Sequence, residues 1–200
     1  MARLIILRHG NTFDRGETPT RVGARTDLSL SLSGRTQAHS LATHFRDTVF
    51  HAAFCSPLLR TRQTARAVLN ARPHAPALRI LPFLTEVDYG PDENQTEETV
   101  IARIGTEALA AWDRDATPPP GWQVDPAALR AAWASLLERA AELDADDTVL
   151  IVTSNGIARF LPDVVDGQPE GLDRKLKTGA WGVVDVGPDG TRIVDWNLRP

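Results

Sequence analysis

The chain has one cysteine, Cys55, so it can form no internal disulfide, and such usage fits a reducing compartment. It has no basic excess either. A formal charge of −4 and a pI near 5.7 argue against a general nucleic-acid binder, which needs surplus Lys and Arg to meet a phosphate backbone. No apolar run is long enough to span a bilayer, and no leader-like segment precedes the first strand-like run, so a cytoplasmic protein with no membrane partner is expected. The five histidines (His9, His39, His44, His51 and His74) show no zinc-site spacing with one another or with Cys55. No metal site and no cofactor is therefore expected. Internal repeats and low-complexity segments are missing as well.

What is present centres on Leu4-Ile5-Ile6-Leu7-Arg8-His9-Gly10-Asn11-Thr12. Four consecutive apolar residues read as a short strand buried on both faces, as in a parallel sheet. The run stops on a cation, a histidine and a glycine, at the carboxyl end where open α/β sheets bind ligands. Further strands are expected over 52–55, 78–81, 148–153, 181–186 and 191–196, the last two joined at Pro188-Asp189-Gly190. One helix is expected to open at Ser33-Gly34, with Ala38, Leu41, Ala42 and Phe45 at helical spacing. Another should start with Ser56 as N-cap and Pro57 at its first position. Two more follow, one with Ile101, Ile104, Ala108 and Trp112 on a single face and one starting at Asp125-Pro126. The Pro118-Pro119-Pro120-Gly121 linker between them reads as the flexible spot. A short helix should run to Leu161.

Two hundred residues suit one domain. The expected fold is α/β: a three-layer sandwich with a mostly parallel central sheet and helices on both faces. A helical insertion, about 92–145, is expected over one sheet edge within a single 1–200 domain.

Parallel strands bring their carboxyl ends to one side, so Arg8-His9-Gly10, the Ser56–Thr61 segment with Arg60, and Asn155-Gly156 can converge. Arg60 falls in the first turn of its helix, where backbone N–H groups and the helix dipole favour an anion. Two guanidinium groups around a histidine suit a dianionic phosphoryl group. Neutral imidazole can attack phosphorus while the arginines stabilise the oxygens, and a carboxyl group, with Glu86 the candidate, protonates the leaving oxygen.

The segments Arg8-His9-Gly10-Asn11-Thr12, Thr26-Asp27-Leu28-Ser29-Leu30-Ser31-Leu32-Ser33-Gly34 with Gln37-Ala38, and Ser56-Pro57-Leu58-Leu59-Arg60-Thr61-Arg62-Gln63-Thr64-Ala65 resemble the histidine phosphatase family, also called the phosphoglycerate mutase-like superfamily. Leu84-Thr85-Glu86 with Tyr89-Gly90 is similar to that family's acid-bearing loop. The matches keep the family's order from residue 4 to about 90 and resume over Val149–Gly156. The resemblance implies His9 as the phosphorylated nucleophile, Arg8 and Arg60 as phosphate ligands and Glu86 as proton donor. It also implies that Asn11 and Thr12 line the pocket and that Arg25 contacts substrate; Arg21 is added on charge alone. The implied partner is a small phosphorylated metabolite.

One position departs from the pattern. After the late buried strand the family has a His-Gly pair, and here Asn155-Gly156 stands in its place. An amide can donate to a phosphate oxygen but carries no charge and shuttles no proton. Its loss relative to histidine is on the order of 10²-fold in rate, by analogy with oxyanion-site deletions. The favoured reading is a working phosphomonoester hydrolase. Phosphoglycerate mutase-type phosphotransfer is the runner-up, and the short tail after the last strand favours an open site with water as acceptor. A phospho-ligand-binding pseudoenzyme is the third reading. A cysteine-dependent phosphatase is disfavoured, because only four residues separate Cys55 from Arg60 and Pro57-Leu58-Leu59 offers no glycine to cradle phosphate.

Overall fold

A computed structural model describes residues 1–200. Its central strand, β1 (Ala2–Arg8), alternates between two interiors. Leu4 and Ile6 point into one apolar cluster and Ile5 and Leu7 into the other, all nearly inaccessible. Period-two geometry makes a continuous apolar run serve both faces. Each such side chain contributes about 1.5–3 kcal/mol by burial.

The remaining strands are β2 (Ala52–Cys55), β3 (Leu78–Ile80), β4 (Thr148–Thr153), β5 (Trp181–Gly187) and β6 (Gly190–Leu198). They form one six-stranded sheet in the order β3-β2-β4-β1-β5-β6. β3, β2, β4 and β1 run parallel, while β5 is antiparallel to both β1 and β6. The α/β sandwich expected from sequence is the one observed. The register of β1 on β4, with Arg8 opposite Thr153, brings two strand ends together at the middle of the sheet.

On one face lie α1 (Leu32–His44) and α2 (Leu59–Asn70), packed through Leu41, Ala65, Val68 and Leu69. Both helices begin elsewhere than the sequence predicts. The cap of α1 is Ser31, whose Oγ accepts from Gly34 N–H, and Asp14 takes the N–H groups of Leu32 and Ser33. A remote carboxylate thus supplies capping that local pattern cannot show. In α2 the residues Ser56 and Pro57 precede the helix. Ser56 Oγ bonds Thr61 Oγ1 at 2.7 Å and accepts from Leu58 N–H.

The other face carries α3 (Glu97–Asp115), α4 (Pro126–Ala140) and the single turn α5 (Asn155–Ala158). Trp133, Leu136, Leu137 and Ala140 of α4 join the cluster that holds Leu4, Ile6, Val149 and Ile151. This places α4 on a sheet face, where the sequence reading put it over an edge. Within α3, Gly105 adopts φ 78° and breaks the helix. The break changes the phase, so Val100 and Trp112 are buried while Ile101 is exposed. The prolyl linker after α3 is anchored: Trp122 is buried, its Nε1–H donates to Asp92 at 2.6 Å, and Arg103 pairs with the same carboxylate. No helix is long and apolar enough to cross a membrane.

Candidate active site

The ends of β1 and β4 open into a cavity of about 620 Å³, whose wall includes Arg8, His9, Glu86, Tyr89, Asn155 and Arg159. At its floor His9 is 6% exposed. Nδ1 lies 2.7 Å from its neighbour's carbonyl, Gly10 O, and Nε2 lies 3.2 Å from Arg60 Nε. A carbonyl only accepts and a guanidinium only donates, so the proton sits on Nδ1 and the lone pair on Nε2. Burial, then the charges of Arg60 and Arg8, hold the imidazole pKa well below its usual value, and the ring is neutral at pH 7.

Arg60, fully buried in the first turn of α2, meets the histidine at Nε2 and is not among the residues lining the cavity. Its guanidinium also donates to the carbonyls of Thr26 at 2.9 Å, Gly23 at 3.2 Å and Val22 at 3.4 Å. Arg8 donates through Nη1 to Leu176 O at 2.8 Å, and its Nε is buried without a partner. Neither guanidinium forms an ion pair. Burial lowers the pKa of both, and Glu86 opposes that through its charge. Two cations with no carboxylate in direct contact are each able to take an anion as partner. Ser154 Oγ, one residue beyond the strand position paired with Arg8, is a second buried polar atom without a partner. Ser154 does not line the cavity, whereas the unsatisfied Arg8 guanidinium does and is what a phosphoryl group would satisfy.

Glu86 is 5% exposed, and its carboxylate accepts from Val87 N–H at 2.9 Å and Gly156 N–H at 3.3 Å. A Cβ at position 156 would fall 2.1 Å from Glu86 Oε1. Gly156 therefore seats the carboxylate, and it is not among the residues lining the cavity. Asn155 does line it, with Oδ1 accepting from Leu176 N–H at 2.8 Å and the NH₂ end making no protein hydrogen bond. Asn11 and Thr12 line the mouth; Asn11 is fixed by Gln37 and Ser33. Arg25 lies elsewhere, exposed, bonded to Asp88 at 3.0 Å and to Gly90 O at 2.6 Å, outside the cavity lining. A carboxylate close in space, invisible in local sequence, draws it away.

Arg21 does reach the wall, paired with Glu97 and lying against Tyr89 and Trp122 at 5.3 and 5.0 Å. Sequence reasoning missed Arg159. It is 1% exposed, stacks 4.1 Å from Trp112, donates to Trp112 O and meets Asp113 at 3.3 Å. Its spacing of one helical turn from Asn155 was the available signal. Lys175 and Leu176 gave none, since their loop lacks periodicity. Cys55 is buried away from the cavity, and burial pushes its thiol up to about 11, which leaves a poor nucleophile.

Against known proteins, a family model described as the histidine phosphatase superfamily (branch 1) matches residues 4–199. The adenosylcobalamin/alpha-ribazole phosphatase of Salmonella typhimurium is 29% identical over 193 residues, which cover 92% of this chain and 90% of that protein. The 2,3-bisphosphoglycerate-dependent phosphoglycerate mutase 2 of Gloeobacter violaceus is 28% identical over 179 residues, covering 87% and 80%. Among solved structures, a mycobacterial glucosyl-3-phosphoglycerate phosphatase in complex with VO3 shares the fold, with a TM-score of 0.78, 24% identity and 98% of each chain covered. The match to the family model takes in both strand ends and every residue of the cavity, and the chain belongs to the histidine phosphatase superfamily.

Proposed function

We propose that this protein hydrolyses phosphomonoesters of small metabolites through a phosphohistidine formed on His9. The observation that carries the reading is the state of that side chain: neutral, buried, with the unprotonated Nε2 3.2 Å from the Arg60 guanidinium and the charge of Arg8 acting on the same ring. In the first step the Nε2 lone pair bonds to phosphorus and the ester P–O bond breaks. Glu86 gives a proton to the leaving oxygen, so an alcohol departs and Glu86 is left as carboxylate. In the second step water attacks the phosphohistidine, its proton returns to Glu86, the N–P bond breaks and inorganic phosphate leaves. Arg8, Arg60 and the Asn155 amide stabilise the transferring oxygens. Asn11 and Thr12 contact the substrate at the mouth. The names of the similar phosphatases, each specifying a phosphorylated small molecule, support the substrate class.

Quenching the protein during turnover of a ³²P-labelled phosphomonoester should trap label on His9. No turnover and no label across a broad metabolite panel would sink this reading. Asn155 favours a second one, a phospho-ligand binder without turnover, because a neutral amide stands where charge would speed transfer. Phosphate or vanadate binding with no hydrolysis would support it. The similar mutase motivates a further arm: with phosphoglycerate as substrate, free phosphate marks hydrolysis and isomer formation marks transfer.

A further inference from the structure

Leu176 belongs to the segment between the turn at Leu161–Asp163 and β5, and it is fully buried. Its two flanking peptide groups serve both pocket strands: the Leu176 carbonyl accepts from Arg8 Nη1 and the Leu176 N–H donates to Asn155 Oδ1, each at 2.8 Å. A backbone N–H must meet the amide oxygen, so the NH₂ end of Asn155 is turned away from Leu176. The same segment donates Gly179 N–H to the His9 carbonyl at 3.1 Å.

Asn197, near the end of β6, holds this segment. Its Oδ1 accepts from Lys177 N–H at 2.8 Å and its Nδ2 donates to the Lys175 carbonyl at 2.6 Å. The two bonds bracket Leu176. The residue sits at φ 62°, a left-handed conformation that asparagine tolerates better than most side chains.

We propose that Asn197 is a positioning residue for the phosphoryl site: by clamping the Lys175 carbonyl and the Lys177 N–H it fixes the two peptide groups that flank Leu176, and through them the Asn155 amide and the Arg8 guanidinium. The inference rests on reading the cavity as a phosphoryl site. Asn197 touches no reacting group. It acts at the far end of a chain of hydrogen bonds, as outer partners of metal ligands do.

Glycine adopts a left-handed φ freely, so Asn197→Gly removes the two side-chain bonds and leaves the backbone unstrained. The test uses the full chain as wild type, Asn197→Gly, Asn197→Asp, Asn155→Ala and the Asn197→Gly/Asn155→Ala double variant. Calorimetry measures inorganic phosphate and orthovanadate binding, p-nitrophenyl phosphate turnover gives kcat and KM, and a melting curve gives Tm. Asn197→Gly should weaken both anions on the order of tenfold, the lower end of what losing an outer partner costs. kcat/KM should fall in step while Tm moves by no more than about 4 °C, a shift of ordinary surface size. Asn197→Asp keeps an acceptor for Lys177 N–H but no donor for the Lys175 carbonyl, so its loss should be intermediate; it carries the test if the glycine variant does not fold. The double variant should lose less than the sum of the single losses, because part of the Asn197 effect passes through the Asn155 amide that the second change removes.

Anion binding by Asn197→Gly equal to wild type overturns the proposal, as do strictly additive losses. A wild-type protein that binds anions without turnover sinks the hydrolase reading and leaves the clamp standing. A wild-type protein that binds neither anion overturns both.

Discussion

β1 and β4 run side by side in the same direction, and each soon reaches a glycine that no other residue can replace without a clash. At Gly10 a Cβ would meet the backbone oxygen of Gly34 at 2.5 Å; at Gly156 it would meet the Glu86 carboxylate at 2.1 Å. The first close approach seats α1 against the site, and the second seats a single functional side chain. β1 ends on a cation, with a neutral imidazole just before its glycine, and a hydroxyl and an amide stand between β4 and its glycine. Strand ends that lie side by side thus carry unequal chemistry. One end carries charge and a buried imidazole, and the other carries neutral polar groups.

The largest expected effect breaks the comparison on the β1 side. His9→Ala should lower turnover by at least about 10⁴-fold and abolish ³²P labelling, since no other imidazole and no thiol lines the cavity. A variant that keeps turnover would move the chemistry away from β1 altogether.

The two glycines provide the sharpest contrast. Gly156→Ala should cost on the order of 10²–10³ in kcat by displacing Glu86, with a modest loss of stability. Gly10→Ala meets backbone that cannot swing aside, so it should cost about 1–3 kcal/mol in urea unfolding. If both variants lose activity and stability in the same proportion, the division of labour between the strands fails.

Asn155 tests placement against charge. Asn155→Ala should cut kcat/KM about tenfold, the loss of one donor, and should weaken vanadate less than Arg8→Ala does. Equal losses would mean that the amide matters as much as the guanidinium.

A smaller effect lies in stability against pH. Unfolded, His9 titrates near its ordinary value of about 6.5; folded, burial and the two arginines keep it neutral to much lower pH. Below about 6.5 the unfolded chain therefore binds a proton that the folded chain refuses. Stability falls as pH drops from there toward the depressed folded pKa, by at most about 1.4 kcal/mol per pH unit. Urea midpoints at pH 5 and 7.5 should separate more in wild type than in His9→Asn, and an identical separation would count against a neutral buried ring. Smallest of all, Cys55→Ser should leave kcat within about twofold, since a buried neutral thiol does no chemistry.

Some of this was legible in the residues and some was not. Leu4–Leu7 and Val149–Val152 announce buried strands because hydrophobic continuity is local, and the polar residues at the ends of these strands fall at the ligand-binding edge by the topology of parallel sheets. Arg60 in the first turn of α2 was likewise readable, although the turn begins at Leu59. Phase was less secure. The α3 face failed where Gly105 interrupts the helix, and the starts of α1 and α2 shifted where Asp14 and Thr61 compete for the capping groups.

The sequence by itself determined the sheet's central strands and a histidine next to a cation at a strand end. Only the tertiary structure decided that Arg25 turns to Asp88, that Arg159 enters the wall, and that Gly156 seats Glu86. The bond from Arg8 to Leu176 spans 168 positions and that from Gly156 to Glu86 spans 70. Strand and helix patterns repeat every two or 3.6 residues and read out nearest neighbours, whereas the site is assembled from contacts whose partners the folded backbone alone selects.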